Sequence, residues 1–169
     1  MILRVWDVVE RWIIGILGTS ALVICLWQIV GRYLSASLAT SWGEELSVYL
    51  IIWATLLTAS GLVRDDGHVR ADLVVARLSD ETQRRVEIFN CMVAVVFCAG
   101  LAWFGYLVTR DAYELGERSM TSLSFPMWIY YASLPTTAAL MTVRYIVRLA
   151  QFVFQYDPAE MRLHSNQDA

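Results

Sequence analysis

Lysine is missing from this chain altogether. All thirteen basic residues are arginine, which reflects genome composition and also suits protein contacts, because a guanidinium makes forked, directional hydrogen bonds that an ammonium cannot. Charge of either sign is scarce: Asp, Glu, Lys and Arg make up 17% of the chain, hydrophobic residues 57%, and the net charge is −3. With a mean hydropathy of +0.50, the apolar surface exceeds what one soluble core of 169 residues can bury. Lipid must cover much of it, and nothing in the charge pattern suggests nucleic acid. Histidine is nearly absent, and His68 and His164 both fall outside the long apolar runs, so haem between membrane helices would lack an axial ligand. The three cysteines, Cys25, Cys91 and Cys98, lie inside apolar runs, where a thiol behaves as a small hydrophobe and not as a disulfide or metal ligand. No GxxxxGK[ST] loop is present, and no serine or cysteine has a histidine placed to activate it. These absences predict a chain that is not an enzyme and carries no catalytic residue, cofactor or metal.

The most informative stretch is 41–72, SWGEELSVYLIIWATLLTASGLVRDDGHVRAD. Ser41 and Glu44 have the spacing of a capping box, which predicts a helix start. From Leu46 to Val63 eighteen residues carry no formal charge, and with the Trp42 turn the run reaches the ~20 residues that a bilayer core requires. Glu44 and Glu45 then occupy the first turn of a spanning helix, where the positive end of the helix dipole favours carboxylates.

Three further apolar runs lie around it. Residues 12–31 hold only Gln28 as a strongly polar side chain and read as a first span. The run is longer than the apolar region of a cleavable signal peptide, so the segment is expected to stay. After Arg64, Asp66-Gly67 reads as a turn, and Ala71, Val74, Val75 and Leu78 share one helical face, which predicts a short interfacial amphipathic helix over 71–78. Ser79, Asp80 and Glu81 look like the cap and acidic first turn of the next helix. The third span covers 88–109; there Ala94, Cys98 and Ala102, with Gly105 close by, make a face narrow enough for tight helix packing. A mixed-charge loop over 110–125 leads to Pro126 and the fourth span, 126–149. Within it Pro135 should free the Tyr131 carbonyl and bend the helix, with Thr136 and Thr137 near enough to help. Arg144 and Arg148 close that span on stems long enough to snorkel. The fold class is therefore an all-α integral membrane protein, one four-helix domain over 1–155, with spans near 12–31, 42–63, 88–109 and 126–149. A polar tail over 156–169 is expected to be disordered.

Four spans put both termini on one side. Arg4, Arg11, Arg64, Arg70, Arg77, Arg84, Arg85, Arg144, Arg148 and Arg162 stand on that side, and Arg32, Arg110 and Arg118 on the other. Ten against three, over short loops, predicts cytoplasmic termini and outward-facing Glu44 and Glu45. The acidic pair is either a wet, dipole-matched first turn or one half of an ion pair with an arginine of its own loop or of a partner. Arg64, Asp65, His68, Arg70 and Asp72 are either a solvated turn or a structured ion-pair knot at a subunit junction. The narrow face of the third span packs within this chain or against a partner. Ionisable groups are missing from the middle of the spans and no internal repeat is visible, which is a poor inventory for a self-sufficient carrier.

In order and spacing, Trp42, Glu44-Glu45, the apolar helix, then Arg64, His68 and Asp72 as R-x(3)-H-x(3)-D resemble the small membrane subunit of TRAP transporters, the DctQ type. The likeness extends over nearly the whole chain. It implies a bacterial inner-membrane protein of a tripartite, ATP-independent uptake system, with a large multi-span subunit, a periplasmic solute-binding protein and membrane lipid as partners. The large subunit of such systems carries the substrate and sodium sites while the small one enlarges the static scaffold. Carried over, Trp42, Glu44, Glu45, Arg64, His68 and Asp72 become structural or interface positions, and the cargo becomes an organic anion. A self-contained homo-oligomeric exporter or channel, with Glu44 or Glu45 as a proton-coupled site, is the competing reading. No large subunit is expected to be fused after the polar tail.

Overall fold

A computed structural model describes residues 2–34, 42–64, 80–121 and 123–154. The segment 71–78, the turn at Asp66-Gly67, the caps at Ser41 and Ser79, and the tail after 154 lie outside the described residues. Where it is described the chain is helical: α1 spans Ile2–Leu34, α2 Gly43–Arg64, α3 Asp80–Glu114, α4 Met127–Tyr131 and α5 Ser133–Phe154. Four stretches are long and apolar enough to cross a membrane, Trp6–Leu34, Gly43–Val63, Glu81–Glu114 and Met127–Phe154, because a run of ~20 apolar residues hides every backbone polar group inside its own helix.

The helices pack as an open row. α1 lies on α2, α2 on α5, and α5 on α3, with the short α4 against α3 and α5. The outer members of the row bury little: 6% of the apolar window of α1 is buried, against 28% for α2. Large side chains such as Trp12, Phe97 and Phe104 face outward, while the interior is built from small ones, among them Ala21, Cys91, Cys98, Ala112 and Ala138. This inverts the pattern of a soluble bundle, as expected where lipid tails are as apolar as leucine and close backbone approach drives packing.

The heaviest seam, α3 on α5, shows how. Cys91, Cys98, Gly105 and Ala112 are all buried, and their spacing of seven keeps one edge of α3 turned to its neighbour along its length. At its centre Gly105 meets Pro135: a Cβ on Gly105 would sit 3.1 Å from the proline Cδ. Cys98 and Gly105 of the narrow face expected on the third span thus pack within the chain, while Ala94 and Ala102 are only half-buried and Cys91 and Ala112 complete the stripe.

The fourth span is divided into α4 and α5 at Ala132, whose backbone stays right-handed helical (φ −61°, ψ −19°), and three residues on Pro135 has no N–H to offer Tyr131. Local hydroxyls serve the neighbouring carbonyls: Ser133 donates to Tyr130 at 2.7 Å and Thr136 to Ala132 at 2.6 Å. Neither bond reaches the Tyr131 carbonyl: Thr136 serves Ala132 and Ser133 serves Tyr130, while the hydroxyl of Thr137 is buried without a hydrogen-bond partner.

Candidate functional site

Polar chemistry gathers at the two ends of the helices. At the end where α2 begins, Trp42 forms the preceding turn, half exposed, its carbonyl accepting the Leu46 N–H at 3.1 Å. Glu44 pairs with the Arg32 guanidinium from the last turn of α1. Both side chains are about two-thirds exposed, so the pair contributes on the order of 0–1 kcal/mol. Of the two readings of this acid, the ion pair with an arginine of its own chain is the one formed.

One turn below, Gln28 of α1 lies flat over Gly43. A Cβ at position 43 would overlap the Gln28 side chain where it lies, so a larger residue would have to displace the amide, and the one strongly polar residue expected in the first span is buried at its crossing with α2. Gln28 with Gly43 and Arg32 with Glu44 together fix the outer crossing of α1 on α2.

Glu45 points the other way, across the row. The Tyr49 hydroxyl donates to its Oε1 at 2.7 Å and the Thr121 hydroxyl to its Oε2. Thr121 reaches it because the segment after α3 is folded, although the sequence reads as a plain loop. α3 continues to Glu114 and stops in a glycine cap: Gly116 has φ +63°, its N–H bonds to Tyr113, and the Glu117 N–H bonds to Ala112 at 3.0 Å, the two bonds of a Schellman motif. The chain then doubles back, with Arg118 paired antiparallel to Pro126, the Ser119 N–H bonded to Phe125 and the Met127 N–H to Glu117. Tyr49 anchors this hairpin from below, 5.1 Å from the Phe125 ring and 5.4 Å from Tyr130. The Trp53 indole N–H donates to the Ile129 carbonyl at 3.1 Å. An open groove of about 760 Å³ lies between the hairpin and α2, with Glu44, Glu45 and Glu117 on its rim and Val48, Met120 and Met127 among its apolar walls.

At the opposite end, Arg64 is the final residue of α2; His68 and Asp72 lie outside the described residues. The polar centre that is described there is one the sequence conceals. Arg144 does not snorkel outward. Its Nε donates to the Ser60 hydroxyl at 3.0 Å, and its Nη2 donates to Glu10 and lies 3.0 Å from Asp7 Oδ1. The side chains of Arg144, Asp7 and Glu10 are 11%, 16% and 6% exposed, because acceptors from two other helices hold the guanidinium inside. Asp7 and Glu10 look like an ordinary charged lead-in, yet α1 is already helical there and their three-residue spacing puts both on one face. Arg148, one turn on, approaches Glu87 of α3 at 3.5 Å and stacks over Phe152. Arg84 donates to the carbonyls of Phe152 and Val153, both at 2.9 Å, which serves carbonyls that the last turn of α5 leaves open.

The chain is similar to known proteins along most of its length. The model of the DctQ component of tripartite ATP-independent periplasmic transporters matches residues 21–155. The chain belongs to this family. DctQ proteins are permease subunits of transporters, not enzymes, and with its four apolar helices this one is a multi-pass inner-membrane protein. An isethionate TRAP transporter permease protein, DctMQ, of Oleidesulfovibrio alaskensis is 25% identical over 126 residues, which is 74% of this chain and 20% of that protein. The C4-dicarboxylate TRAP transporter small permease protein DctQ of Vibrio cholerae is 22% identical over 165 residues, covering 83% of this chain and 69% of the other. The chain thus spans about a fifth of the first relative and two thirds of the second.

Proposed function

We propose that this DctQ-family chain is the small membrane subunit of a TRAP-type secondary transporter. It scaffolds a large multi-span subunit during sodium-coupled uptake of an organic anion that a periplasmic solute-binding protein delivers. The family match over residues 21–155 carries the reading. The name DctMQ on one relative supports a large membrane partner, and isethionate and C4-dicarboxylates, named for the two relatives, are both small organic anions. The open row of helices fits as well, since α1 and α3 leave broad apolar faces for a partner or lipid.

The arginine count, ten against three, supports cytoplasmic termini, with the 65–79 segment and its interfacial helix at 71–78 on the same side. Trp42, Glu44 and Glu45 then stand at the periplasmic face as structural or docking positions, and Arg64, His68 and Asp72 serve the same ends at the cytoplasmic face. The polar tail over 156–169 extends into the cytoplasm.

Reconstitution tests the proposal. The purified chain alone in proteoliposomes should move no organic anion under a sodium gradient, whereas the chain with its large subunit and binding protein should. Uptake or conductance by the lone chain, abolished by Glu44→Gln or Glu45→Gln with folding intact, would overturn it in favour of the self-contained exporter.

A further inference from the structure

Lipid gives α1 almost no reason to prefer one rotation about its axis. Its apolar window is 6% buried, and apolar side chains gain nothing by leaving hydrocarbon for protein. Directional contacts must set its position, and it has them at two heights. The outer pair, Gln28 over Gly43 and Arg32 with Glu44, joins α1 to α2. The inner contact is Arg144, and this one reaches beyond α2. From Glu44 to Ser60 is sixteen residues along α2, about 24 Å at 1.5 Å per residue, so the cluster lies near the far edge of a ~30 Å hydrocarbon core.

The Arg144 guanidinium touches three residues on two other helices at once, Asp7 and Glu10 of α1 and Ser60 of α2. Ser60 is fully buried and Glu10 nearly so. A charged cluster this deep is costly unless its geometry is used. What the geometry does is tie the first helix to the last, across 134 residues of chain.

We infer that Arg144 is a positioning residue: by gripping Asp7, Glu10 and Ser60 together it fixes the rotation and tilt of α1 on the α2/α5 pair. The first helix enters the membrane carrying two carboxylates whose shared guanidinium lies on the last one, so the fold closes only when α5 is in place. Arg148, a turn away, approaches Glu87 of α3.

The test uses the full chain in nanodiscs, with spin labels at Val9 of α1 and Ile146 of α5, both half exposed. Cys25 is replaced by alanine, while Cys91 and Cys98 are buried. The parent should give one narrow interlabel distance. The uncharged chain Asp7→Asn, Glu10→Gln, Arg144→Met should insert and keep its helix content, since α1 still packs on α2, but with a distance distribution at least twice as broad. Arg144→Lys, which retains a cation, should recover most of the narrowness. A neutral chain as narrow as the parent, a neutral chain that fails to insert, or a lysine variant as broad as the neutral one would each overturn the inference. The distance is read in the isolated chain and is independent of the proposed transporter role.

Discussion

Gly43 is constrained by a neighbour and not by its own backbone. The Gln28 amide occupies the volume where a Cβ would stand, with Nε2, Cδ and Cγ all within 3 Å of it. Gly43→Ala would have to push the amide out of its buried place, and small-to-large changes in packed sites cost about 1–3 kcal/mol. Thermal unfolding in mild detergent should show a loss of that size. In the Gln28→Ala background the same Gly43→Ala change should be nearly silent, and a double-mutant cycle reads the coupling directly. Equal losses in both backgrounds would show that the crossing does not depend on this contact. Arg32 and Arg144 divide on the same ground. Arg32 with Glu44 is solvent-exposed, whereas Arg144 is enclosed, and removing one member of a buried pair costs about 3–5 kcal/mol.

Among the elements, the divided fourth span joins the two ends of the subunit. Pro135 removes one bond of the ladder, and in α4 just ahead of it Ile129 takes the Trp53 N–H while Trp128 packs edge-on against Tyr113, 5.8 Å away. Restoring an N–H with Pro135→Ala would favour one continuous helix through Ala132. That variant should keep or raise its helix content by circular dichroism, yet lose the Trp53 contact and loosen the hairpin that Thr121 and Phe125 pin to α2. Faster maleimide labelling of a Leu123→Cys reporter, half-buried in the hairpin, set beside the same reporter in the parent chain, checks this. Gly105 faces the same proline at 3.1 Å from a would-be Cβ, so the proline and the α3/α5 seam meet at one place. The sequence marked both halves, a proline within a span and a small-residue face on another. It could not show that they meet.

At the scale of the whole molecule, the open row leaves much apolar surface free on each end helix among the described residues. A partner that covers such a face binds the folded chain and not the unfolded one, which raises stability by mass action. Unfolding of this chain in detergent should therefore shift to higher temperature when it is co-purified with the proposed large subunit, and the shift should vanish on dilution below the dissociation constant. An unchanged midpoint would argue that lipid, not protein, covers α1 and α3.

How much of this was legible beforehand follows from the physics of each signal. Spanning helices are written in composition: a long uncharged run has few other ways to satisfy its backbone, so the all-α membrane fold with four spans could be read directly, and the order Trp42, Glu44-Glu45, Arg64, His68, Asp72 pointed to the family. Glycine caps and hairpins such as 115–126 were hidden, because mixed charge looks alike in a loop and in a folded turn. Partner choice was hidden too. Arg144 and Arg148 stand four residues apart in the same apolar run, and local sequence treats them alike. Only the packing order of α1, α2, α5 and α3 decides that one meets Asp7 and Glu10 while the other meets Glu87, since ion pairing inside a membrane depends on which helix lies alongside, and that is a property of the assembled fold.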